Sequence, residues 1–199
     1  MIYLIRHGQT EYNLERRYQG ALDSPLTATG IEQARAVGRR LAGLTSRFTA
    51  IVSSPLGRTR STALLIAQAG GFTGPISTDP RLTEITLGVW DGLTADDIDK
   101  DYPGLRDSGP RHEWLFASPD GESFAALNAR LGSWLSDALA GPLPLIVVSH
   151  GVSGGILRGL YGGLDRAETM SLDVPQDAFF ILANDKIKRV EVAVDAPIG

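Results

Sequence analysis

The chain holds three histidines in 199 residues, and two of them stand in matching surroundings. His7 lies in Ile5-Arg6-His7-Gly8 and His150 in Val148-Ser149-His150-Gly151, each just after an apolar run and just before a glycine. An imidazole can act as a nucleophile or serve an anion as a hydrogen-bond donor. Arg6, beside His7, opposes a metal cation with its fixed charge. It suits phosphate, whose oxygens a guanidinium grips in a planar, two-pronged way. Arg58 and Arg60 lie at the start of a predicted helix after Ser53-Ser54-Pro55. Free backbone N–H groups and the helix dipole favour an anion there as well. Two histidines and one or two arginines in one crevice would make a phosphate site able to do chemistry. One neutral histidine attacks phosphorus, and the other serves the oxygens. The leaving oxygen needs a proton, for which Glu84 in Arg81-Leu82-Thr83-Glu84 is the candidate. With Glu84 protonated and His7 neutral as the ester bond breaks, the rate should pass through a bell with pH.

That chemistry requires elements that bring the two histidines together. Ile2–Ile5, Ala50–Val52 and Pro144–Ser149 read as buried strands, and Pro75–Thr78 as a further short one. Helical spacing runs over Thr29–Leu44, Leu56–Ala69, Ser123–Leu139 and Ser153–Tyr161, with a short helix at Ala95–Asp101. Phe179–Leu182 and Ile187–Val194 form a predicted hairpin across Asn184-Asp185. Strands with unbroken apolar runs, alternating with helices, predict an α/β three-layer sandwich: a mostly parallel central sheet with helices on both faces. Ligands of such sheets sit at the carboxyl ends of the strands, where His7 and His150 lie. If the two strands are neighbours, both rings reach one crevice. Residues 1–199 read as one domain, with a loop-rich cover segment at about 86–120. In that segment Arg106, Arg111, His112, Glu113, Trp114 and Phe116 carry a mixed message about substrate. Arg111 and His112 are candidates to meet a second anionic group. Asp120 or Ser123 is expected to cap the helix that follows.

Composition removes several classes. There are no cysteines, so disulfides, zinc ribbons and thiol nucleophiles are out. A net charge of −4 without a basic tract argues against a nucleic-acid partner. The longest apolar run falls far short of the roughly 18 residues needed to span a bilayer, and the opening run is too short for a signal peptide. The expectation is a cytoplasmic protein acting on a small phosphorylated molecule, with no membrane partner; a homodimer is compatible with the sequence.

The same residues resemble the histidine phosphatase superfamily, the phosphoglycerate-mutase-like proteins. Leu4-Ile5-Arg6-His7-Gly8-Gln9-Thr10-Glu11-Tyr12-Asn13 is similar to that family's signature. Arg17-Tyr18-Gln19-Gly20, Ser53-Ser54-Pro55-Leu56-Gly57-Arg58-Thr59, Leu82-Thr83-Glu84-Ile85 and Val148-Ser149-His150-Gly151-Val152 resemble its later blocks. The resemblance implies that His7 is the phosphorylated nucleophile and Glu84 the proton donor, then the base that activates water. It implies that Arg6, Arg58 and His150 hold phosphate oxygens with help from Asn13, that Gln19 and Gly20 line the mouth, and that the Gly151 backbone closes the pocket. No metal or organic cofactor is implied. Thr59, where alanine is frequent, and Gly57 depart from the commonest pattern without removing a catalytic group.

Members of this family hydrolyse phosphomonoesters or shuttle phosphate between hydroxyls. The short stretch between Glu84 and His150, and the short tail, favour a phosphatase over a mutase. A serine esterase is excluded despite Gly151-Val152-Ser153-Gly154-Gly155, because that arrangement needs a histidine after the serine and none follows His150. A non-catalytic phosphate-binding module would have no use for Glu84.

Overall fold

The computed structural model of the protein describes residues 1–107 and 109–193. Strand β1 (Ile2–Arg6) leads through α1 (Glu11–Leu14) and α2 (Ala28–Leu41) to β2 (Ala50–Ser53). Helix α3 (Gly57–Gly70) and β3 (Ile76–Thr78) follow, then α4 (Ala95–Asp101), α5 (Phe124–Ala140) and β4 (Leu145–Ser149). Helices α6 (Gly151–Gly162) and α7 (Arg166–Ser171) precede the pair β5 (Ala178–Ala183) and β6 (Lys186–Glu191). The six strands form one sheet in the order β3-β2-β4-β1-β5-β6. Pairings from β3 to β1 are parallel, and β5 runs antiparallel to β1 and β6. Strands β1 and β4 are therefore neighbours, with Arg6 opposite Ser149.

Side chains alternate across a strand, and here each face meets helices. Ile2 and Leu4 of β1, with Leu145 and Val147 of β4, join a core with Leu127 and Leu131 of α5 and Ile156 of α6. Tyr3 and Ile5, with Ile146 and Val148, join a second core with Val37 and Leu41 of α2 and Ile66 of α3. Covering both faces explains why the central strands read as unbroken apolar runs, and it is the three-layer sandwich expected. Leu127 and Leu131 are wholly buried, each worth about 1.5–3 kcal/mol in apolar transfer.

Some boundaries move. Helix α2 stops at Leu41, and Ala42–Arg47 continues as 3₁₀ turns rather than extending the α-helix to Leu44. Helix α3 begins at Gly57, leaving Pro55 outside it. Helix α6 begins two residues before Ser153, so His150 is its N-cap. Ser123, not Asp120, caps α5, accepting from the Ala126 N–H at 3.2 Å. The hairpin turns at Asn184 and Asp185, whose φ values of 50° and 56° are those of a tight mirror-image turn. The expected end of its second strand at Val194 lies outside the described residues.

The cover segment joins the core of the α5–α6 face through Leu87, Trp90, Ile98, Trp114 and Leu115. Trp90 lies 5.7 Å from Trp114 and 5.1 Å from Tyr102, and Tyr18 stands edge-on to Trp114 at 5.2 Å. Trp114 is thus interior, not a substrate contact. Phe116 packs on Phe124, Arg106 pairs with Asp99, and Glu113 pairs with Arg166.

Candidate active site

Parallel pairing of β1 with β4 ends in a hydrogen bond from the His7 N–H to the Ser149 carbonyl, 3.0 Å. The two imidazoles that follow lie with ring centroids 5.3 Å apart, nearly edge to face. Both are buried, His7 3% and His150 1% exposed. His7 Nδ1 is 2.8 Å from the Gly8 carbonyl. A carbonyl only accepts, so Nδ1 carries the proton and Nε2 keeps its lone pair. The Arg58 Nε–H donates to His150 Nδ1 at 3.2 Å; the proton of His150 therefore sits on Nε2, which is buried without a partner among the described residues. Burial, followed by the charges of Arg6 and Arg58, holds His7 well below its usual range. Burial, followed by Arg58, does the same for His150. Both rings are neutral at pH 7: one offers a lone pair, the other an N–H.

A cavity of about 150 Å³ opens before them, lined by Arg6, His7, Asn13, Gln19, Gly20, Arg58, Glu84 and Gly151. His150 borders the same corner through Arg6 and Gly151. The nine residues singled out from the sequence thus converge. Burial pushes the Arg6 guanidinium down to about 10, so it stays charged at neutral pH. Its Nη1 is tied to the Val174 carbonyl, while Nε is buried and unpartnered among the described residues. Glu84 sits on the first turn of α6. Oε2 accepts from the Val152 N–H at 3.0 Å, and Oε1 from the Ser153 N–H at 2.9 Å. The Ser153 hydroxyl lies 2.7 Å from the Thr83 carbonyl and 2.9 Å from Oε1, so the serine of the esterase-like motif braces the Thr83-Glu84 segment.

Arg58 departs from expectation. The start of α3 does not offer its N–H groups to a ligand, because Asp23 accepts from the Gly57 and Arg58 amides. Asp23 also pairs with Arg58 Nη1 at 3.1 Å, and Nη2 donates to the Gly20 carbonyl at 2.9 Å. One N–H of the Nη2 group remains after these bonds and the one to His150. Arg58 lines the cavity but spends four of its five donors on His150, Gly20, Asp23 and the Leu22 carbonyl. Arg60 is not among the residues lining the cavity. The glycine after His7 has a packing reason as well: a Cβ on Gly8 would come within 2.2 Å of the Gly30 carbonyl. A Cβ on Gly151 would instead point at the Arg6 guanidinium, 3.5 Å away.

Sequence reading missed Gln176. Its Nε2 donates to the His7 carbonyl at 3.1 Å and to Asn13 Oδ1 at 3.0 Å. Asn13 Oδ1 also takes the Thr10 N–H, 3.2 Å, in the capping box of α1. With Oδ1 used twice, Asn13 has its Nδ2 donors to offer. Gln176 belongs to an irregular stretch after α7 that carries no motif; only the pairing of β5 with β1 brings it to the site.

The model of the histidine phosphatase superfamily (branch 1) matches residues 2–193. Proteins carried as "probable phosphoglycerate mutase GpmB" in Enterobacter sp. (strain 638) and Citrobacter koseri are 42% and 43% identical over 166 residues, covering 82% of this chain and 75% of theirs. The solved structure of Bacillus stearothermophilus YhfR superposes with a TM-score of 0.78 at 31% identity, over 100% of this chain and 97% of that one. A mycobacterial glucosyl-3-phosphoglycerate phosphatase, solved with VO3, gives 0.76 at 29%, over 96% of both chains. With its signature histidines, arginines and glutamate gathered at the carboxyl ends of the central strands β1 and β4, the chain belongs to the histidine phosphatase superfamily.

Proposed function

We propose that the protein is a phosphatase that hydrolyses a small phosphomonoester through a phosphohistidine at His7, without a metal. The observation that carries this reading is the pair of opposite tautomers: a lone pair on His7 Nε2 and an N–H on His150 Nε2, 5.3 Å between rings. His7 Nε2 attacks phosphorus while the bond to the ester oxygen breaks, and Glu84 delivers a proton to that oxygen. Arg6, His150, the remaining Arg58 N–H and Asn13 Nδ2 stabilise the spreading charge on the equatorial oxygens. Water then attacks the phosphohistidine, the N–P bond breaks, Glu84 takes the water's proton, and inorganic phosphate leaves.

Phosphoryl shuttling is the second reading, favoured by the naming of the 42–43% identical relatives. Release of p-nitrophenol from p-nitrophenyl phosphate in excess EDTA tests the first. The native protein should turn over and His7→Ala should lose at least about 10³-fold, the scale of removing a covalent nucleophile. An inert native protein would favour the mutase and binding readings, and full activity in the variant would overturn His7 as nucleophile.

A further inference from the structure

The third histidine also reaches the cavity. His112 lines it together with Tyr18, Ile85, Leu87, Leu115 and Val174. Five of these six are apolar or aromatic. The Tyr18 hydroxyl is directed to Arg106 and its ring to Trp114, so it presents carbon to the cavity. His112 Nε2 is buried and has no partner among the described residues, which makes it the polar atom on this wall left to meet a ligand. A second anion would need an unengaged cation. Arg17 lines the cavity with its charge already shared with Glu15, to which Nε donates at 2.7 Å, while Nη1 donates to the Gly92 carbonyl at 2.9 Å. Arg111 does not line the cavity. Burial, and then the neighbouring Arg111 charge, lower His112 from its usual range, so at neutral pH it meets a ligand as an uncharged ring. A carboxylate at His112 would meet an uncharged ring, whereas a hydroxyl would satisfy the ring nitrogen at no charge cost. The enclosed space is small beside the roughly 300–1,000 Å³ of sites that hold drug-sized ligands.

Resting on the hydrolase reading, we propose that His112 recognises a hydroxyl of the leaving group, and that the preferred substrates are phosphate monoesters of a small uncharged polyol rather than of a hydroxy acid. Three esters of similar size separate the outcomes: glycerol 3-phosphate, propyl phosphate and 3-phosphoglycerate, assayed by phosphate release with p-nitrophenyl phosphate as a reference. The native protein should favour glycerol 3-phosphate in kcat/KM by about tenfold or more over each of the others. In His112→Leu the glycerol-to-propyl ratio should fall towards one, and His112→Gln, whose amide still hydrogen-bonds, should keep part of it. A ratio unmoved in His112→Leu, or a native preference for 3-phosphoglycerate, would overturn the proposal. Turnover of p-nitrophenyl phosphate without turnover of glycerol 3-phosphate would sink it while leaving the hydrolase reading intact. No turnover of any ester would sink both.

Discussion

Each histidine of the phosphate corner has its tautomer selected by a neighbour's hydrogen bond. His7 has its tautomer chosen by the Gly8 carbonyl, and His150 by Arg58, itself held by Asp23, Gly20 and Leu22. Residue types and their order along the chain were therefore enough to name the groups, but not to assign protons. Asp23 shows the limit: its carboxylate fills the helix start that a reading of α3 alone leaves open to a ligand, because the two segments are 34 residues apart. Glu84 is held by two backbone N–H groups and a hydroxyl at the start of α6. Glutamine at this position keeps one acceptor oxygen and the same shape, but it cannot give up or take a proton. In Glu84→Gln, kcat should fall by about 10²–10⁴, the usual worth of general acid–base catalysis. The Kd of inorganic phosphate should stay within about threefold. Binding lost in step with turnover would show that Glu84 serves the anion and not the proton.

At the scale of elements, the strongly periodic parts were legible: β1, β4, α3, α4 and α5 fall within two residues of their predicted bounds. Short elements were not: α1 buries no residue, and α7 buries only Thr169 and Met170, too few to make a periodic stripe. Nor was the stretch joining α7 to β5. That stretch is held as a strap: Asp173 takes Arg158 and Arg189, the Val174 carbonyl takes Arg6, and Gln176 reaches the His7 carbonyl and Asn13. If the strap acts by donating from Gln176, charge and donor count should matter more than volume. Gln176→Glu keeps the shape but sets a carboxylate against two acceptor oxygens, so it should reduce kcat/KM by about tenfold or more, at least as much as Gln176→Leu. A Gln176→Glu protein as active as the native one would show that the strap closes the site by packing alone. The readout that distinguishes positioning from stability is kcat/KM measured well below the melting temperature, with denaturant midpoints recorded for each variant.

Taken as a whole, the molecule gathers its three histidines around one site, His7 and His112 lining the cavity and His150 standing 5.3 Å from His7, and all three are pushed below their usual range, in each case mainly by burial. This has a thermodynamic consequence. Unfolded histidines take up protons near pH 6.5, while the folded ones remain neutral to lower pH. Between those limits the unfolded state binds more protons than the folded state, so stability rises with pH. The contribution is fully present above about pH 6.5 and is lost as pH falls below it, by at most about 1.4 kcal/mol per pH unit for each histidine. Carboxylates work in a lower window. Asp79 is held down chiefly by Arg81, Asp97 by Thr94 and Asp99 by Arg106, so their contribution is lost only as pH falls below about 4. Denaturant unfolding at pH 7, 6 and 5 should therefore give a falling free energy in which the histidine term dominates. The doubly substituted His7→Gln, His150→Gln protein should flatten that slope while keeping the fall below pH 4. A double variant whose slope between pH 7 and 5 matches that of the native protein would mean that these rings titrate in the folded protein as they do in the unfolded chain. His7 would then take up a proton near pH 6.5 like a free imidazole, and the burial-enforced neutrality that keeps its lone pair available to phosphorus at and below that pH would fall.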